Sequence, residues 1–223
     1  GPEAFPSAPD FGRLLLDAKL SVPQPGRGVV ERPELIRAAR SSDCRVVAVT
    51  APAGYGKSTL LVQWAVAEDR RVAWVSLDRL DDDPAALLTL LASAYAQVSP
   101  GNSDLIAAMS GLGVSVLGRA APRLASALRT SPVPFVLMLD DLHELQSPAC
   151  HDVLGLVISG IPRGSQLVAA SRSEQPHLPR LRASGDALEY LASDLALDAA
   201  GAEQIFAQAR VSLTPDLAAA VTE

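Results

Sequence analysis

Five short apolar runs, at 45–50, 71–77, 134–139, 166–171 and 187–191, recur along this chain with mostly helix-length segments between them. Runs such as Val46-Val47-Ala48-Val49 and Phe135-Val136-Leu137-Met138-Leu139 lack polar alternation, the pattern of strands covered on both faces. Parallel neighbours of this kind cannot be joined by a tight turn; each needs a crossover, usually a helix. Helices are expected at 33–40, 57–68, 84–98, 113–130 (divided at Pro122) and 148–159, with two more at 198–210 and 215–222. The prediction is an α/β fold, a parallel sheet of about five strands with helices on both faces. Composition agrees, because 48% of the residues are hydrophobic but only 4% aromatic, so aliphatic side chains must fill the layers.

Three zones follow from the patterning. Residues 1–26 are Pro-rich, with one apolar turn at Leu14-Leu15-Leu16, and read as an extended lead-in. Residues 27–195 form the α/β core, and 196–223 read as the start of a truncated helical lid, so the chain reads as a fragment. The net charge of −6, from 25 acidic and 19 basic residues, argues against a domain whose main task is gripping DNA, where phosphate neutralisation dominates affinity. Cys44 and Cys150 are too few for a disulfide framework and read as reduced, buried thiols of a cytoplasmic protein. No membrane span or signal peptide is legible.

The most informative segment follows the first run: Ala51-Pro52-Ala53-Gly54-Tyr55-Gly56-Lys57-Ser58-Thr59. Binding a polyphosphate requires positive charge and a backbone that can wrap closely around oxygens. Gly54 and Gly56 allow that curvature. Lys57 opens a helix whose free amides face the same anion, so its ammonium can reach the β- and γ-phosphates. Ser58 supplies a hydroxyl for Mg2+, and Thr59 supports the loop or the α-phosphate. Ala53 and Tyr55 complete the cradle. The pattern departs from Gly-x4-Gly-Lys-Ser/Thr at its first position, where Ala51 replaces glycine; another small residue still fits the turn. The fold class is therefore that of a P-loop NTPase, with ATP or ADP and Mg2+ as cofactors.

A magnesium nucleotide also needs a carboxylate at the end of a neighbouring strand. Asp140, ending the run at 134–139, is the expected metal residue, and Asp141 the candidate for orienting or deprotonating the attacking water. Arg172, at the end of the run at 166–171, is placed to sense the γ-phosphate and stabilise transition-state charge. His143 reads as a turn or interface residue. Cys150-His151-Asp152 resembles a nucleophile cluster but lacks a second catalytic context, and reads as helix surface. Arg180 and Arg182 read as solvated on a helix.

The order and spacing of several segments resemble the nucleotide-binding domain of the MalT-like branch of STAND ATPases, found in large LuxR-type regulators. The segments are Ala18-Lys19-Leu20-Ser21-Val22-Pro23, Gly28-Val29-Val30-Glu31-Arg32-Pro33, the loop at 51–61, Trp74 with Asp82-Asp83-Pro84, Leu139-Asp140-Asp141-Leu142-His143, Ala170-Ser171-Arg172 and Leu178-Pro179-Arg180-Leu181. Together they cover about 18–210. The family normally has Thr where Ser58 stands, and the Gly-x-Pro segment that usually follows is not in this chain. The resemblance implies an ADP-held closed form, opening and self-association with inducer and ATP, and slow hydrolysis as the reset. It also implies that Val29, Val30 and Arg32 approach the adenine, and that DNA is bound only by a C-terminal domain outside this chain. Two other readings stay open: a nucleotide-binding module without significant hydrolysis, and a P-loop small-molecule kinase.

Overall fold

The computed structural model describes residues 9–99, 101, 103–109 and 115–196; the helices expected at 198–210 and 215–222 lie outside them. The five apolar runs become β1 Val46–Thr50, β2 Arg71–Ser76, β3 Phe135–Asp140, β4 Gln166–Ser171 and β5 Ala187–Leu191. All ladders are parallel, in the spatial order β2-β3-β4-β1-β5.

Along β3 the side chains alternate between two cores, as a strand's two-residue period requires. Phe135, Leu137 and Leu139 pack on one face under α4 Pro84–Val98, α6 Ala121–Arg129 and α7 Pro148–Ser159. Val136 and Met138 pack on the other, with Trp64 of α3 Lys57–Ala67 and with Ile36 and Ala39 of α2 Pro33–Ser41. Burial on both faces explains why the sequence lacks polar alternation here. The caps are local: the Asp83 carboxylate accepts from the Ala86 amide at 2.9 Å to start α4, and Ser147 Oγ accepts from the Cys150 amide at 3.2 Å to start α7.

Three expectations need correction. The lead-in at 1–26 is not extended throughout: Pro9–Lys19 form α1, with Pro9 at the position where a missing N–H costs nothing. Lys19 Nζ anchors its end on Asp78 at 2.9 Å and Asp81 at 2.5 Å, and Leu20 is buried. A short helix, α5 Ser103–Met109, follows α4. In the segment expected at 113–130, a π-type turn at Val116–Ala120 precedes α6, with Pro122 in that helix's first turn rather than its middle. Of the two thiols expected to be buried, Cys150 is, in the core and not on the helix surface expected for Cys150-His151-Asp152, while Cys44 is only half-buried; neither is in a disulfide.

The strand order decides the site. β4 lies between β1 and β3, with Thr50 opposite Ser171 and Leu139 opposite Ala169. The C-terminal ends of β1, β4 and β3 therefore open side by side at one edge of the sheet.

Candidate functional site

The loop between β1 and α3 turns over this edge. Gly54 and Gly56 have φ of +88° and +81°, where a Cβ is disfavoured, and Gly56 caps α3 in the left-handed conformation. The first amides of α3 lack intrahelical acceptors and face the loop's mouth. Lys57, only 8% exposed, folds back so that Nζ donates to the Pro52 carbonyl at 2.9 Å. Burial lowers its pKa, the Arg172 charge lowers it further, and Asp141 and Asp140 oppose that shift. Lysine, arginine and both aspartates thus share one electrostatic neighbourhood.

Ser58 Oγ donates to Asp140 Oδ1 at 2.9 Å, joining the loop to the tip of β3. Burial raises the Asp140 carboxyl and the adjacent Asp141 charge adds to the rise, while the bond from Ser58 works against it. A hydroxyl beside a buried carboxylate is a hard-oxygen pair that suits Mg2+. Among the described residues no cluster of three or more His, Cys, Asp or Glu could hold a metal.

Asp141 has φ +58° and ψ +42°, and among the described residues it is the only non-glycine with positive φ. Its amide donates to Asp140 Oδ1 at 3.0 Å. Backbone strain of this kind costs of order 1–3 kcal/mol and gathers at functional sites. His143 completes the arrangement. Its Nδ1 accepts from the Arg172 amide at 3.1 Å, which fixes the proton on Nε2, and Nε2 lies 3.9 Å from both Asp141 Oδ1 and Glu144 Oε1. The imidazole therefore bridges the ends of β3 and β4. Sequence reasoning left it outside the site, because the strand order that brings Arg172 beside it is not a local property.

No family model matches the chain. It is 31% identical over 197 residues to the HTH-type transcriptional regulator MalT of Cronobacter sakazakii, covering 86% of this chain and 22% of that protein. The MalT of Yersinia enterocolitica is 29% identical over 196 residues, with the same coverage. Among solved structures, a STAND protein with a tetratricopeptide repeat sensor from Pyrococcus horikoshii superposes with TM-score 0.59 at 14% identity, over 90% of this chain and 28% of the other. Cdc6p of Pyrobaculum aerophilum follows at TM-score 0.53 and 12% identity, over 92% and 57%. By sequence the chain is MalT-like, and its fold is that of the STAND protein and of Cdc6p. It spans about a fifth of the length of those curated relatives, 22% in each case.

In this MalT-like domain, the residues expected around the adenine fall in different places. Val29 lines a cavity of about 290 Å3 beside Ser58 and Thr59, and the Val30 carbonyl faces α3. The Arg32 guanidinium turns instead to the Asp194 and Leu195 carbonyls, at 2.7 and 3.2 Å, at the end of α9 Ala192–Leu195. Tyr55 is 43% exposed at the loop's crest, and Ala53 is exposed beside it. His151 Nε2 is spent on the Leu145 carbonyl at 2.8 Å. Arg182, on α8 Leu178–Ser184, is paired with Glu174 and Glu189. Neither joins the site.

Proposed function

We propose that this domain binds a magnesium nucleoside triphosphate in the loop at 51–59 and hydrolyses it slowly, as the switch of a LuxR-family transcriptional regulator. The observation that carries the reading is the 2.9 Å bond from Ser58 to Asp140. It joins the loop that would cradle phosphates to the strand end that would hold the metal's water shell.

In this reading Lys57 and the first amides of α3 bind the β- and γ-phosphates. Ser58 and Asp140 would hold Mg2+, which would supply charge neutralisation on the phosphate oxygens. Asp141 orients the attacking water and takes its proton as the bond to the γ-phosphorus forms and the bond to the bridging oxygen breaks, releasing ADP and phosphate. Arg172 steadies the negative charge on the transferring group. Val29, Val30 and Arg32 belong to the segment that lies beside the base. The switch, self-association on activation, DNA contact through a C-terminal domain and a cytoplasmic setting belong to the intact regulator. Within the described residues no helix is long and apolar enough to cross a membrane.

The test is to denature freshly purified protein and identify the released nucleotide by chromatography. Retained ADP supports the switch. Protein that retains no nucleotide and binds neither ATP nor ADP on titration overturns the reading. ATP binding without phosphate release leaves a binding module in place of an ATPase.

A further inference from the structure

Gln63 lies on α3 beyond Lys57, Ser58 and Thr59, the residues read as facing the phosphates. It lies one helical turn beyond Thr59, on the same side of the helix. Its Nε2 donates to the Val30 carbonyl at 2.9 Å, and its Oε1 accepts from the Arg32 amide at 3.1 Å. Val30 C=O can only accept and Arg32 N–H can only donate, so the carboxamide has one satisfactory orientation. The pair of bonds brackets Glu31 as one residue of a neighbouring parallel strand brackets its partner. The segment at 30–32 belongs to no sheet, and this side chain supplies the pairing its backbone otherwise lacks.

The consequence is geometric. The end of the lead-in and the segment after it, residues 25–32, are held against α3 one turn above the phosphate loop, and a cavity of about 290 Å3 lies between them. Its apolar walls include Pro25, Val29 and Val62, and Ser58 and Thr59 border it on the loop side. Arg32, beyond the clamp, is in turn tied to the carbonyls ending α9. We infer that Gln63 is a positioning residue for the nucleobase: its carboxamide holds the lead-in as one wall of a base pocket beside the phosphate loop. The inference rests on the nucleotide-binding reading above, and the pocket takes the planar ring of the nucleotide whose phosphates the loop holds. Pre-ordering that wall removes an entropic cost that binding would otherwise bear.

The experiment compares ATP with inorganic tripolyphosphate, both with magnesium, on this chain and on Gln63→Met, which keeps length and loses both bonds. Calorimetry is expected to give a tripolyphosphate affinity unchanged within about twofold and an ATP affinity lowered about tenfold. Equal losses for both ligands overturn the inference, since they would mean Gln63 acts through the phosphate loop or the fold. So does an unchanged ATP affinity. Wild-type protein that binds ATP no better than tripolyphosphate removes the base pocket while leaving the phosphate site standing. Wild-type protein that binds neither overturns the nucleotide reading, and this inference with it. A second measurement needs no variant: hydrogen exchange at the Arg32 amide is expected to slow with ATP and not with tripolyphosphate. Equal slowing refutes the base-pocket assignment.

Discussion

Replacing Glu68 by glutamine removes one charge from the far end of the helix that begins at Lys57, and the structure sets the size of the effect. The Glu68 side chain is wholly buried, with Arg40 Nε 3.3 Å from one oxygen. It accepts from Trp64 Nε1 at 2.8 Å and from Arg70 through Nε at 2.9 Å, a terminal guanidinium nitrogen at 3.0 Å and the backbone amide at 3.0 Å. Burial by itself would raise this carboxyl; the bonds from Arg70 and Trp64 outweigh it and bring the pKa from 4.5 to about 2. A drop of that size corresponds to roughly 3 kcal/mol of folding stability. Because the folded value lies below the unfolded one, the contribution is complete above pH 4.5 and is lost as pH falls through about 2. At pH 3 about 1.4 kcal/mol of it remains. The stability gap between wild type and Glu68→Gln should therefore shrink by about 2 kcal/mol between pH 7 and pH 3. Urea unfolding followed by tryptophan fluorescence measures it, since Trp64 and Trp74 are both buried. A gap of the same size at both pH values refutes the reasoning, because it would assign the effect to shape rather than charge.

Three further outcomes follow from the same structure. Lys57→Ala removes the ammonium proposed to contact phosphate and should weaken ATP binding roughly 10- to 150-fold by calorimetry, with the fold intact; an unchanged affinity counts against the loop as the phosphate site. Asp141→Asn should spare ATP binding while slowing phosphate release in a malachite-green assay, and equal turnover would return Asp141 to the role of a turn residue. Gly160→Ala should destabilise by about 1–3 kcal/mol in chemical denaturation. Its Cβ would lie 2.5 Å from the Ala125 carbonyl oxygen and 2.7 Å from that residue's Cα, and a backbone packed that closely cannot yield cheaply.

The strands were legible to within a residue or two because burial of the central ones leaves a near-continuous apolar run, which is local information. The runs at 166–171 and 187–191 coincide with β4 and β5, and the run at 71–77 outlasts β2 by one residue. α1 was missed because prolines on both sides of Leu14-Leu15-Leu16 resemble an extended segment. Its last turn is held by Lys19 reaching Asp78 and Asp81, a contact across 59 and 62 residues. That the loop at 51–59, Asp140 and Arg172 lie at strand ends was readable from the local pattern. The roles of His143 and Gln63 were not, since each is defined by a partner 29 to 33 residues away.

By itself the sequence determined the parts: five strands, a helix opening at Lys57 with glycines where the backbone must turn left-handed, and acidic and basic residues at strand ends. Those are properties of short windows, set by side-chain periodicity and by the dihedral limits of individual residues. The tertiary structure alone decided their neighbours. By inserting β4 between β1 and β3, it brought Lys57, Asp140, Asp141 and Arg172 to one edge of the sheet. Strand order is a competition among distant surfaces for burial, and no stretch of chain carries the outcome of that competition on its own.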